Sequence, residues 1–161
     1  MSRVARLRID IQAQRLQLLE QERSRLEYPV STAGNGVGEC FGSECTPRGQ
    51  HRIVLKIGDG CAENTVFVGR RPTGEVYTPE LAERFPGRDW ILTRILWLGG
   101  CEPGRNRGGE VDTRRRFIYI HGSPDSVAMG EPGSHGCIRM RNADLLDLFP
   151  RVHRGMRVDI A

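Results

Sequence analysis

Lysine is nearly missing from this sequence. Lys56 is the only one, so the 24 basic residues are otherwise arginine, and the net charge is +4. Arginine's planar fork of donors matches carboxylate and phosphate in a way a lysine ammonium does not, so the balance hints at an acidic ligand. No apolar run approaches the roughly 18 residues that would suggest a membrane span. Met1 to Asp10 holds no uninterrupted hydrophobic core, unlike a secretory or lipoprotein signal. As written the chain is expected to be cytoplasmic, or periplasmic if a leader has been removed. Cysteine is odd in number: Cys40, Cys45, Cys61, Cys101 and Cys137. An odd count argues against a closed disulfide framework. Without a C-x-x-C pair, Cys40, Cys45, His51 and Cys61 match no compact zinc pattern, so no metal and no cofactor is expected. Gly34-Asn35-Gly36-Val37-Gly38 is not followed by lysine and serine or threonine, and reads as a loop rather than a phosphate cradle.

What is present is an ordinary globular composition, 38% hydrophobic and 27% charged over 161 residues, enough for one domain (1–161) with a real core. Leu7, Ile9 and Ile11 alternate with Arg8 and Asp10. Leu16 and Leu18, then Leu26, Tyr28 and Val30, continue the period of two that marks strands with one buried face. Further strands are expected at Arg52 to Ile57, Thr65 to Val68, Ile91 to Leu98, Phe117 to Ile120 and Arg157 to Ile160. Two short helices have punctuation. Thr78 is placed to cap a turn opening with Pro79, and Asn142 to cap Ala143 to Phe149, with Pro150 as its stop. The fold class expected is mainly β, with few helices.

Chemistry concentrates in one stretch. His121-Gly122-Ser123 is followed by Ser134-His135-Gly136-Cys137-Ile138-Arg139, with twelve residues between His121 and Ser134. A thiol becomes a strong nucleophile as thiolate, and a neighbouring imidazole or guanidinium lowers its pKa. Cys137 has His135 and Arg139 within two residues. His121 closes the apolar run Phe117-Ile118-Tyr119-Ile120, which would present it at a sheet end as a general base. His135 is nearer in sequence and stands as the other candidate base. Gly136 permits a sharp turn whose amides converge on one point, as an oxyanion site requires.

This hexapeptide, with His121-Gly122 ahead of it, resembles the signature of the L,D-transpeptidase catalytic domain, or YkuD, family. Tyr28-Pro29-Val30-Ser31-Thr32 and the element Thr46-Pro47-Arg48-Gly49 fit the same resemblance, which runs from about Leu7 to Ile160. It implies a β-sandwich with a lid-like segment over a cleft. It also implies a reaction: Cys137 attacks the third residue of a peptidoglycan stem tetrapeptide, terminal D-Ala leaves, and a thioester remains. An amine acceptor then gives a cross-link, and water gives L,D-carboxypeptidase activity. By the same resemblance His121 is the base, and Ser123 supplies a backbone carbonyl that orients it. Ser134, His135 and Gly136 match the motif positions beside the nucleophile, where backbone amides meet the oxyanion, and Arg139 either clamps a substrate carboxylate or braces the loop. The implied partners are stem peptides or muropeptides.

The segment 59–112 is then the expected lid or cleft insertion. Arg70 and Arg71 are candidates for holding stem-peptide carboxylates, and the glycines from Gly99 to Gly109 could let a lid move. Trp90 and Trp97 are read as core, and Arg114-Arg115-Arg116 as a solvated rim. The alternative from another class is an arginine-rich nucleic-acid-binding module without catalysis. Against it, the arginines are scattered and no zinc-finger, RNA-recognition or helix-turn-helix pattern occurs. A catalytically dead peptide- or sugar-binding relative is disfavoured by the intact His121 and Cys137.

Overall fold

A computed structural model describes residues 4–161; the part of the N-terminal reading that falls on residues 1–3 lies outside them. The alternating segments become β1 (Ala5–Asp10), β2 (Arg15–Glu20) and β3 (Arg23–Pro29), an antiparallel meander. Leu7 pairs with Leu18 and Ile9 with Leu16, so both strands turn the same face inward. The last strand, β10 (Arg157–Ile160), inserts parallel to β1 and antiparallel to β4 (Gly49–Ile57). β4 pairs with β7 (Ile91–Gly100), β7 with β8 (Tyr119–Ser123), and β8 runs parallel to β9 (Ile138–Arg141). The hairpin of β5 (Thr65–Val68) and β6 (Arg71–Val76) attaches to the first residues of β7.

The sheet curls until its ends meet. Beyond β3, Ser31 bridges Arg139 in both directions, each amide donating to the other's carbonyl at 2.9 Å. Leu7, Ile9, Leu16, Ile53, Leu96, Ile120, Ile138, Met140 and Val158, all fully buried, fill the space between the facing halves. Each contributes on the order of 1.5–3 kcal/mol. The layers of the expected sandwich are thus two halves of one continuous sheet. α2 (Asn142–Leu148) inserts Leu145 and Leu148 into the same core, and α1 (Pro79–Arg84) lies on the surface.

Several expectations change. Phe117 is not in the strand: its φ of 56° ends a turn, and β8 starts at Tyr119. Thr78 caps α1 through the Leu81 amide as expected, but Asn142 is the first helical residue of α2, with Arg141 at the cap. Pro150 does not stop the chain's helical path; it sits early in a 3-10 turn, Phe149–Arg151, where its missing N–H costs nothing. The segment 59–112 is not one insertion, because β7 within it is a central strand bonded to β4, β5 and β8. Gly99 and Gly100 lie in that strand, and a Cβ on Gly100 would sit 2.0 Å from the Asn106 carbonyl oxygen. They are glycine for close packing rather than for motion. Trp90 and Trp97 are half-buried and outside the main core, though Trp97 packs against a second, smaller core cluster of Phe67, Ile95 and Tyr119.

Candidate active site

Alternation along β8 and β9 divides their side chains between core and cleft. Ile118, Ile120, Ile138 and Met140 face the core. In the parallel register Ile120 lies opposite Ile138 and His121 opposite Arg139. Residues two apart on a strand share a face, so Tyr119, His121, Cys137 and Arg139 point the other way. They line a cavity of about 360 Å³ together with Arg70, Asp89, Ile91, Phe117, Ser134 and His135. Adjacent strands lie about 4.8 Å apart, which makes Cys137 a diagonal neighbour of His121. The sequence placed the two in one site, and the register supplies the reason.

His121 is buried, and its Nδ1 lies 2.7 Å from the Gly122 carbonyl oxygen. The orienting carbonyl therefore belongs to Gly122, one residue before the expected Ser123, whose own hydroxyl is buried without a hydrogen-bond partner. With Nδ1 engaged as donor, Nε2 is the basic nitrogen, and it has no protein partner among the described residues. Burial lowers the His121 pKa, against opposing pulls from the Gly122 carbonyl and Asp89. The ring is neutral at neutral pH.

Behind Gly122 stands a network that the sequence did not reveal. A bulge in β7 puts Thr93 at φ 75°, a strained conformation for a β-branched residue. Its hydroxyl donates to Asn142 Oδ1 at 2.7 Å and accepts the Asn64 amide at 3.1 Å. Asn142 Nδ2 completes the set by donating to Asn64 Oδ1 at 2.7 Å. A Cβ on Gly122 would fall 2.2 Å from Asn142 Oδ1 and 2.6 Å from the Leu92 carbonyl oxygen. Only glycine lets this network press against the peptide that holds His121. The one hint in the sequence was Asn142 at the start of a helix, which reads equally as a cap.

The loop before β9 carries the thiol. Cys137 Sγ receives the Tyr119 amide at 3.3 Å and donates to the Phe117 carbonyl at 3.4 Å. Burial pushes this thiol up to about 12, only partly offset by the Tyr119 N–H. The expected lowering by basic neighbours is outweighed. Arg139 gives one nitrogen to the Gly133 carbonyl and another to Asp89, so it braces the loop while facing the cavity. Gly136 has φ 129°, and its carbonyl accepts a hydrogen bond from Thr46 Oγ1 at 2.9 Å. Thr46, fully buried, also takes the Ala33 amide. This gives the threonine-proline element a concrete task at the site.

Ser134 is committed inside the turn. Its hydroxyl accepts the Gly136 amide and donates to the Cys137 carbonyl, which makes it a brace rather than a substrate ligand. Of the amides expected at the oxyanion, those of Ser134 and Gly136 are already engaged, by the Thr32 carbonyl and the Ser134 hydroxyl, whereas those of His135 and Cys137 carry no turn or loop hydrogen bond among the described residues. His135 itself is exposed at the rim. Arg70 and Arg71 part company. A two-residue turn, Gly69-Arg70, with both φ positive (57° and 64°), joins β5 to β6. Arg70 lies over the rings of Trp97 and Phe117 at 4.7 and 4.9 Å and donates to Tyr119 Oη at 3.1 Å. Arg71, in the strand that follows, is exposed and outside the cavity. Asp89, missed in the sequence, pairs with Arg139 at 3.2 Å. Arg116, read as rim, is half-buried and braces residues 38–45 through the carbonyls of Gly38 and Cys45.

Fold and site together define a mainly-β domain with a cysteine and a histidine on one cleft face of two parallel strands. Residues 5–160 match the family model for the YkuD, L,D-transpeptidase catalytic domain, and the chain belongs to that family. Over 121 residues it is 31% identical to the probable L,D-transpeptidase YbiS of Escherichia coli strain K12, covering 70% of this chain and 39% of that protein. The L,D-transpeptidase of Xylanimonas cellulosilytica shares the fold with a TM-score of 0.57 at 20% identity, covering 100% of this chain and 62% of that one. A cysteine-to-serine variant of the Enterococcus faecium L,D-transpeptidase gives 0.59 at 16%, covering 98% and 50%. The LD transpeptidase LdtMt1 in complex with imipenem gives 0.57 at 15%, covering 99% and 60%. The chain spans less than two thirds of the length of each of these proteins.

Proposed function

We propose that this domain carries out cysteine-dependent acyl transfer on peptidoglycan stem tetrapeptides. The observation that carries the reading is the shared cavity of Cys137 and His121, with His121 Nδ1 held by Gly122 and Nε2 left without a partner. Both groups rest uncharged, so the proton moves as the thiol attacks rather than beforehand. Cys137 Sγ adds to the carbonyl carbon of the third stem residue, and His121 Nε2 takes the thiol proton. The amides of His135 and Cys137, free of turn or loop hydrogen bonds among the described residues, donate to the oxyanion in this reading. The tetrahedral species collapses, the C–N bond breaks, and His121 returns the proton to the departing D-Ala amine. A thioester remains on Cys137. An amine acceptor gives a cross-linked dimer; water gives the tripeptide, the carboxypeptidase outcome suited to peptidoglycan recycling.

The test is mass spectrometry of products from disaccharide-tetrapeptide, with and without an amine acceptor. D-Ala release is expected, lost in Cys137→Ala and retained when Cys40, Cys45, Cys61 or Cys101 is replaced singly by serine. Imipenem, with its strained lactam, should add one drug mass at Cys137. Turnover surviving in Cys137→Ala would overturn the assignment. The ratio of dimer to tripeptide at millimolar acceptor distinguishes a transpeptidase from an L,D-carboxypeptidase.

A further inference from the structure

Beside the catalytic cavity, and sharing no lining residue with it, lies a second trough of about 460 Å³. Three arginines line it: Arg52 from β4, and Arg107 and Arg114 from the connection between β7 and β8. Its floor is the backbone of Gly99 and Gly100 in β7. A Cβ on Gly99 would meet Val54 Cγ1 at 2.9 Å, so the packing that demands glycine also leaves the floor without side chains.

These arginines are left without acids. Elsewhere the chain matches Arg6, Arg48, Arg88, Arg139, Arg151 and Arg157 with carboxylates, while Arg71, Arg141 and Arg154 have no carboxylate partner among the described residues and do not line the trough. Arg52, Arg107 and Arg114 are all exposed, and none has a carboxylate partner among the described residues. Arg52 gives one nitrogen to the Gly155 carbonyl. The single acid in the lining, Asp112, is turned into its own loop, where it accepts the Gly108 amide at 2.7 Å and the Arg115 amide at 3.0 Å. Three guanidinium groups thus face one carboxylate that is already satisfied by backbone.

The trough also connects to the site. An adjoining cavity of about 500 Å³ shares Arg114 and Asp112 with the trough and Phe117 with the catalytic cavity. Trp97 stands along this path, with Arg70 over its ring at 4.7 Å and Arg114 at 5.4 Å.

We propose that the trough of Arg52, Arg107 and Arg114 is a second binding site, for a phosphate or carboxylate group carried by an extended ligand whose other end reaches Cys137. The placement of that other end rests on the function proposed above; the anion site does not. Unpaired guanidinium forks around an open backbone floor suit a multivalent oxyanion, which can accept from more than one arginine at once.

The test is calorimetric titration with pyrophosphate, citrate and a generic DNA duplex at fixed ionic strength, on the wild type and on Arg107→Gln/Arg114→Gln. Saturable binding of pyrophosphate or citrate is expected, weakened at least about tenfold in the variant. Imipenem acylation of Cys137 should stay within about twofold of the wild type, since neither arginine touches the thiol or His121. Preference for pyrophosphate assigns a phosphate-bearing ligand, and preference for citrate a carboxylate-bearing one. Equal anion affinity in both proteins, or no saturation by about 10 mM, would overturn the proposal. So would duplex DNA that binds far more tightly than either small anion and loses that binding in the variant, which would mark a nucleic-acid surface. Loss of acylation in the wild type would instead count against the function proposed for Cys137.

Discussion

His121 and Cys137 are both disfavoured as ions by the same burial. The imidazole pKa falls below its ordinary 6.5 and the thiol rises to about 12, so the resting pair is neutral. A general base in this state is needed in every turnover. His121→Ala should slow single-turnover acylation by at least about 100-fold. His135→Ala should cost much less, because its ring lies exposed at the rim. Stopped-flow acylation by imipenem, with circular dichroism to confirm folding, makes the comparison. The opposite ranking in folded proteins would transfer the role to His135. The lowered His121 pKa adds a signature: the base stays unprotonated below pH 6.5, so the wild-type rate should hold as pH falls through that value.

At the level of elements, the loop between β8 and β9 is held from outside itself. Thr32 accepts the amides of Gly133 and Ser134, Arg139 holds the Gly133 carbonyl, and Thr46 holds that of Gly136. Thr46 is the most exposed to a clean test, because valine keeps its shape and removes its hydroxyl. Thr46→Val leaves the buried Ala33 amide and Gly136 carbonyl unpaired, a cost of about 1–3 kcal/mol. In a domain of this size each kcal/mol lowers Tm by about 2–4 °C. Differential scanning calorimetry should show that loss, together with slower imipenem acylation. An unchanged Tm would mean that the Thr46 bonds are replaced by others. The Thr-Pro-Arg-Gly segment was legible as a motif in the sequence, but its partner lies 90 residues away.

Two histidines, His51 and His121, are kept neutral by burial across the whole molecule. His51 is fully buried, with Nδ1 against the Gly49 carbonyl and Nε2 against Thr113 Oγ1. Burial lowers its pKa to about 4. The unfolded chain binds protons at both His51 and His121 as pH drops below 6.5, while the folded chain does not. Stability is therefore full above that value and declines below it, continuing for His51 down to about pH 4. At pH 5 the His51 share is on the order of 2 kcal/mol. Urea unfolding at pH 7 and pH 5 should show a lower midpoint at pH 5 with an unchanged slope. Equal midpoints would mean that neither histidine is held neutral.

The sequence by itself determined which residues face inward and which cysteine is set apart. Period-two alternation marked β1, β2 and β3, further apolar runs marked β4, β5, β7 and β10, and the six residues from Ser134 to Arg139 singled out Cys137. β6 and β9 escaped: Arg71 to Val76 holds too little apolar side chain to show a buried face, and β9 is only four residues long. Tertiary structure decided the rest. The bulge at Thr93, the choice of Gly122 over Ser123 as His121's partner, and the separation of Arg70 from Arg71 depend on chain segments that meet only after folding. A local pattern fixes the face a side chain takes, because strand geometry repeats every two residues. Burial and hydrogen-bond partners are set by which distant strands pair. That pairing is what makes Cys137 a half-buried neutral thiol beside a neutral base instead of a thiolate beside two cations.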